Sequence, residues 1–370
     1  MTQQCEQWIN PAISFTIRKP DDLHLHVRDN ELTPLVLAHT SRQFARATIM
    51  PNLVEPVATT DQARVYRQRI LERLPDGVSF EPLMTLYLTQ ETTPQEIRKA
   101  KSSGFVHGVK LYPAHATTNS AFGVSDIDQL SSVFETMQEV GMLLLLHGEV
   151  VEAGIDVFDR EKYFIERRST WFVREFPELR MVQEHITTKE AVDFVRSAGP
   201  NVAATITPHH LLYNRNAMLA DGLNPHLYCK PILKQEQDRK ALIDAAMSGN
   251  PKFFCGTDSA PHPRSAKECA CGCAGVYSAY SAVEWYASIF DEHAGLDRPE
   301  TQRLFEAFMS EYGARFYGLP LNKERITLSR KPLEIPERFT YSDSRFEGAI
   351  SGELISLGAG QTLPWTTWAG

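Results

Sequence analysis

Near its amino end the chain carries Asp22-Leu23-His24-Leu25-His26-Val27-Arg28. Two imidazoles separated by one residue leave the same face of a strand, where both can hold one metal ion, and Arg28 comes next on that face. Two ligands do not complete such a site. Four further side chains of suitable type follow short apolar runs: Lys110, His147, His185 and Asp258. Four His, one Asp and one Lys can surround two divalent ions of the zinc type, for which imidazole and carboxylate are both suitable donors. Lys110 is the odd member. An ammonium group has no lone pair, and burying it beside two dications is unfavourable unless it loses its proton or is chemically modified. A substrate-binding cation and a salt-bridge partner are its other possible roles, and composition and spacing leave the choice open.

The elements that must position these groups are visible as apolar runs. The first, Ser14 to Ile17, leads on to the His pair. Seven more follow: 47–50, 83–88, 106–111, 142–147, 180–185, 202–207 and 252–258. Between them, Ser125 to Glu139, Thr188 to Arg196 and Lys234 to Met247 repeat apolar residues at three- and four-residue steps, as amphipathic helices do. Thr92-Thr93-Pro94-Gln95-Glu96 and Ser125-Asp126-Ile127-Asp128 have the composition of helix starts. Eight strands alternating with helices predict a (β/α)8 TIM barrel in a single domain spanning 1–370, with the barrel over about 14–323 and a tail over about 324–370 packed around it. An open doubly wound sheet is the rival topology, although no Gly-x-Gly-x-x-Gly follows the first strand. In a barrel, active sites form where the carboxyl ends of the strands meet their loops, so the six candidate ligands share one mouth.

Bulk properties exclude several classes. The chain has 370 residues, 42% hydrophobic content and a net charge of −8. Basic residues such as Arg64, Arg67, Arg69 and Arg73 are interleaved with acids, which disfavours nucleic acid and anionic membrane as partners. No basic start with an apolar h-region and no bilayer-length apolar stretch is seen, so a soluble, cytoplasmic protein is expected. Of six cysteines, Cys269, Cys271 and Cys273 crowd together. They lack a second CxxC half, and reduced loop thiols are the expected state.

His24-x-His26, Gly108-Val109-Lys110-Leu111-Tyr112-Pro113, Leu146-His147-Gly148-Glu149, Glu184-His185-Ile186-Thr187-Thr188 and Gly256-Thr257-Asp258-Ser259-Ala260-Pro261-His262 together resemble the amidohydrolase superfamily. Within it they look like the short, single-domain bacterial dihydroorotases (class II). Tyr213-Asn214-Arg215-Asn216 and His226-Leu227-Tyr228-Cys229 extend the likeness, which runs from about residue 14 into the Trp-containing tail.

The resemblance implies zinc-dependent, reversible opening of the cyclic amide of L-dihydroorotate to N-carbamoyl-L-aspartate, in pyrimidine biosynthesis. It implies two Zn2+ per chain, bridged by N6-carboxylated Lys110 and a hydroxide. His24, His26 and Asp258 would hold the more buried ion and His147 and His185 the other, with Asp258 carrying the proton to the departing ring nitrogen. Arg28, Asn52 and His262 would take the substrate carboxylate, and backbone groups near Cys229-Lys230 and at Ala274 would grip the ring's amide edge. Lys230 stands where the family leads one to expect an apolar residue. Residues 113–123 would form a flap whose Thr117 and Thr118 close over the substrate. Members of this type are commonly homodimers. A dihydropyrimidinase or allantoinase shares the metal set without needing a carboxylate clamp, and a non-catalytic binding partner is the alternative from another class.

Overall fold

The structure is a computed structural model that describes residues 13–343 and 350–368. Cys5 lies outside the described residues. Strand β1 (Ser14–Arg18) comes first, followed by β2 (Asp21–Leu25), β3 (Arg46–Ile49), β4 (Glu81–Tyr87), β5 (Val106–Leu111), β6 (Leu143–Leu146), β7 (Met181–Gln183), β8 (Val202–Ile206) and β9 (Phe253–Cys255). Strands β2 to β9 form one eight-stranded sheet in sequential order, and every neighbouring pair is parallel. Helices between them cover its outer face, so the expected (β/α)8 barrel is present.

The first apolar run does not feed the barrel as one strand. It breaks at Lys19-Pro20, and β1 pairs antiparallel with β10 (Arg325–Ser329), outside the eight-stranded sheet. The barrel strand is instead the polar-looking Asp21–Leu25, buried at every position. Its carboxylates are satisfied internally. Arg46 forks onto Asp21 with bonds of 2.8 and 2.5 Å, and Asp22 accepts from Thr257 N at 2.8 Å and Thr257 Oγ1 at 2.6 Å.

The bond from Thr257 also closes the cylinder. Asp258 N donates to His24 O at 2.9 Å and His26 N to Ser259 O at 3.1 Å, around a parallel bridge between Leu25 and Ser259. Below this seam the interior is filled by Leu23, Leu83, Leu143, Leu145, Val182, Ala203 and Phe254, with Tyr317 beneath them. The larger apolar layer lies between strands and helices.

Helix ends follow local chemistry. Thr59 and Gln62 form a capping box at Thr60–Leu71, Thr93 caps Pro94–Ser102, and Thr188 caps Lys189–Ser197. The helix expected from Ser125 begins later, with a 3-10 turn at Asp128–Leu130 leading into Ser131–Val140. Gln90 explains the delay: its Oε1 accepts from Ser125 N and Asp126 N at 3.1 Å, holding both outside the helix. No helix among the described residues is long and apolar enough to cross a membrane.

Candidate active site

All six candidate ligands meet at the carboxyl end of the barrel. His24 is the penultimate residue of β2 and His26 lies just beyond it, Lys110 is in β5, and His147, His185 and Asp258 follow β6, β7 and β9. His24 Nε2 lies 3.4 Å from His26 Nε2 and 3.3 Å from Asp258 Oδ1, while His26 Nε2 is 3.1 Å from the same oxygen. The His185 ring centroid is 4.9 Å from those of both His24 and His147. Non-glycine residues with positive φ are uncommon, yet His185 and Asp258 each adopt φ 44° and Arg28 φ 63°. The backbone is bent at the positions that aim these side chains.

Electrostatics shows what the cluster is built for. Burial pushes His26 down to about 3 and His185 well below its usual range. Burial also disfavours a charged His24, but Glu184 and Asp258 outweigh it and raise this imidazole to about 9. Asp258 would be raised by burial, yet the adjoining His24 holds it well below the usual carboxylate range. Two imidazole nitrogens and a carboxylate oxygen thus converge within 3.1 to 3.4 Å of one another. His185 Nδ1 is buried without a hydrogen bond. This donor set fits metal ions, with imidazole and carboxylate lone pairs arranged around a shared centre.

The pattern of the amidohydrolase family matches residues 17–331. The chain belongs to that family, among the dihydroorotases. It is 54% identical over 351 residues to a dihydroorotase of Stutzerimonas stutzeri, covering 95% of this chain and 97% of that one. The dihydroorotase of Campylobacter jejuni superposes with a TM-score of 0.84 at 34% identity, covering 95% of this chain and 97% of that one. Dihydroorotase of Saccharomyces cerevisiae in complex with 5-fluoroorotic acid gives 0.84 at 32% identity, covering 95% and 98%.

Within this amidohydrolase centre, Lys110 is fully buried and its Nζ contacts Glu184, whose other oxygen lies 3.1 Å from His24 Nδ1. The latter contact is close but off-line for a hydrogen bond, since both atoms remain without a partner by angle. A small cavity above is lined by His24, His26, His147, His185 and Asp258 on one side, and by Arg28, Asn52, Thr117, Thr118, Lys230 and Ala274 on the other. His262 lines the adjoining cavity of about 710 Å³, which shares Arg28 and Thr118 with the first.

Arg28 is buried, and among the described residues no carboxylate forms an ion pair with it. Its Nε donates to Pro261 O at 3.3 Å and its Nη2 lies 3.1 Å from His262 Nε2. That same nitrogen lies 3.0 Å from Ala274 O. One ring nitrogen of a neutral imidazole either accepts or donates, so it serves Arg28 or Ala274 but not both.

The loop over 113–123 is folded across the site. Asn52 Nδ2 donates to Thr118 O at 3.0 Å, Asn119 Nδ2 donates to Asn52 O at 3.0 Å, and Thr118 Oγ1 reaches Ala274 O at 3.4 Å. From the other side, Lys267 Nζ donates to Tyr228 O, Cys273 O and Gly275 O at 2.8, 2.8 and 2.6 Å, strapping down the loop segment that carries Ala274. Cys269 and Cys271 are exposed free thiols.

Three residues here escaped assignment from sequence. Glu184 precedes one ligand, Glu149 follows another by two positions, and Tyr112 lines the cavity. An acid one or two residues from a candidate ligand is the signal by which the first two could have been found. A further buried group, His209, His210 and Cys229, places donor atoms close together. His210 is already satisfied on both nitrogens, by Thr207 Oγ1 at 2.7 Å and Pro231 O at 3.0 Å, so it packs rather than ligates.

Proposed function

We propose that the chain interconverts L-dihydroorotate and N-carbamoyl-L-aspartate, as a metal-dependent cyclic amidohydrolase. The observation that carries this is Arg28, a buried guanidinium beside the candidate ligand cluster that has no carboxylate of its own among the described residues. Burying an unpaired charge costs several kcal/mol, roughly, and an anionic substrate group offsets that cost. Neutral cyclic amides such as dihydrouracil do not. The orotate-type acid bound by the yeast relative has the carboxylate this clamp requires.

His24, His26 and Asp258 would hold one ion and His147 and His185 the other, with Lys110 between them. Two divalent ions, when bound, lower the pKa of water toward neutrality and polarise the amide carbonyl. The chain's own groups do the rest. Arg28, Asn52 and His262 fix the carboxylate, and the backbone at Ala274 and beside Lys230 holds the ring's amide edge. Asp258 accepts the proton of the attacking water and delivers it to the ring nitrogen as the carbon–nitrogen bond breaks; ring closure reverses the transfer. Thr117 and Thr118 close the loop over the site and exclude bulk water.

Carboxylation of Lys110 belongs to the same proposal. It converts a cation into an anion, ends the attraction to Glu184 and supplies the lone pairs that the ammonium lacks. Zinc as the ion, a homodimer, a single domain over 1–370 and a cytoplasmic setting complete the reading. Assaying the protein with dihydroorotate and with dihydrouracil tests the activity: turnover of the first is expected, and turnover of dihydrouracil alone overturns it. Metal analysis with gentle intact-mass measurement tests the centre, which requires two ions per chain and one added carboxyl group.

A further inference from the structure

We infer that Glu149 is a positioning residue for the ion held by His147: its carboxylate fixes the Nε2 proton of that ring and leaves Nδ1 as the donor. The inference rests on the two-ion reading above.

A neutral imidazole has one N–H and one lone pair, so whatever accepts from one nitrogen decides which nitrogen binds metal. His147 Nε2 lies 2.8 Å from Glu149 Oε2, and both residues are 1% exposed. His147 Nδ1 makes no hydrogen bond among the described residues, and the ring lines the small cavity beside His185. Glu149 makes no other side-chain hydrogen bond among the described residues, so its carboxylate serves this one ring. Glu184, by contrast, is shared between His24 and Lys110.

Local sequence builds the pair. Glu149 N donates to His147 O at 3.1 Å, a three-residue turn that brings the two side chains back toward each other. Gly148 is at its centre, where an added Cβ would lie 3.2 Å from Gln183 Oε1 and 3.5 Å from the Phe164 ring. The His-Gly-Glu triplet therefore encodes both the ligand and the group that orients it. Carboxylates hydrogen-bonded to a ligating imidazole fix its tautomer and raise its basicity, and losing one typically weakens metal affinity by about 10–100-fold.

The test counts zinc ions per chain after dialysis of zinc-loaded protein against graded nitrilotriacetate. Wild type should hold two ions; fewer than two overturns the underlying two-ion reading before any variant is made. In Glu149→Ala one ion should leave at about 10–100-fold lower chelator strength, with the other unmoved. Glu149→Gln keeps the shape and an accepting oxygen, so its weaker ion should fall between wild type and Ala, and this variant carries the test if Ala does not fold. Wild-type retention of both ions in the folded variants, or equal weakening of both, overturns the inference.

Discussion

Replacing Arg28 by Met separates a substrate clamp from a structural cation. A carboxylate about 4 Å from a guanidinium interacts by ~4 kcal/mol at an effective dielectric near ~20, and truncating one partner of a buried charged pair costs about 2–5 kcal/mol. Taking ~3 kcal/mol at ~1.4 kcal/mol per decade, kcat/KM for dihydroorotate should fall by about 150-fold. The folded protein loses little in return, because among the described residues Arg28 has no carboxylate partner and only uncharged ones, Pro261 O at a long 3.3 Å and His262 Nε2 at 3.1 Å. Its thermal midpoint should therefore stay level or rise, as an unpaired buried charge has been removed. Steady-state kinetics on dihydroorotate and dihydrouracil, with metal content and thermal unfolding on the same samples, reads all of this. Equal losses on both substrates, or a sharp fall in thermal stability, would refute the reasoning, since either places Arg28 in the scaffold.

Changing Thr117 and Thr118 together to Ala should lower kcat by about 10-fold, the low end for loop closure that completes a site, with metal content unchanged; unaltered kinetics would count against a closing flap. Burial lowers Lys267 to about 8, and its ammonium donates to three carbonyls around Ala274. In Lys267→Met these carbonyls lose their partner, and KM should rise by about 3–10-fold with kcat little changed, each unmet buried group costing about 1–3 kcal/mol. Raising the pH through about 8 removes a proton, and so a donor, from wild-type Lys267 only, and the KM difference should narrow. At the barrel floor, an added Cβ on Gly313 would overlap Leu23 Cδ1 and lie 3.0 Å from Phe254 Cδ2. Gly313→Ala should lower the urea midpoint by the equivalent of about 1–3 kcal/mol without altering the slope.

The barrel was legible in the sequence because seven of its strands overlap short apolar runs separated by segments of helical period. The eighth was hidden. Asp21, Asp22 and His24 are buried by virtue of partners 25 to 235 positions away, which hydrophobic patterning cannot register, and the neighbouring Ser14–Ile17 run carries the stronger apolar signal. The helix after Ser125 was misplaced for a similar reason, because Gln90 competes for the backbone groups that would have begun it. That the six candidate ligands would share one mouth was readable because each lies at or within three residues of the carboxyl end of a barrel strand. Glu149 and Glu184 were in view beside their histidines, but which nitrogen or ammonium each one meets depends on the curvature of the chain and is fixed only in three dimensions.

The seam that closes the barrel has a consequence for how the protein is made. Asp22 and Thr257, which clasp the first and last barrel strands, are 235 positions apart, and their neighbours His24 and Asp258 face one another across the same joint. Contacts of such long sequence separation come late in folding, because most of the chain must already be ordered to bring the ends together. An unfinished chain carrying His24, His26, Lys110, His147 and His185 would still lack Asp258 and the strand that presents it. Closing the cylinder and bringing Asp258 up to His24 are thus one event, and the candidate centre is assembled only when the last strand docks.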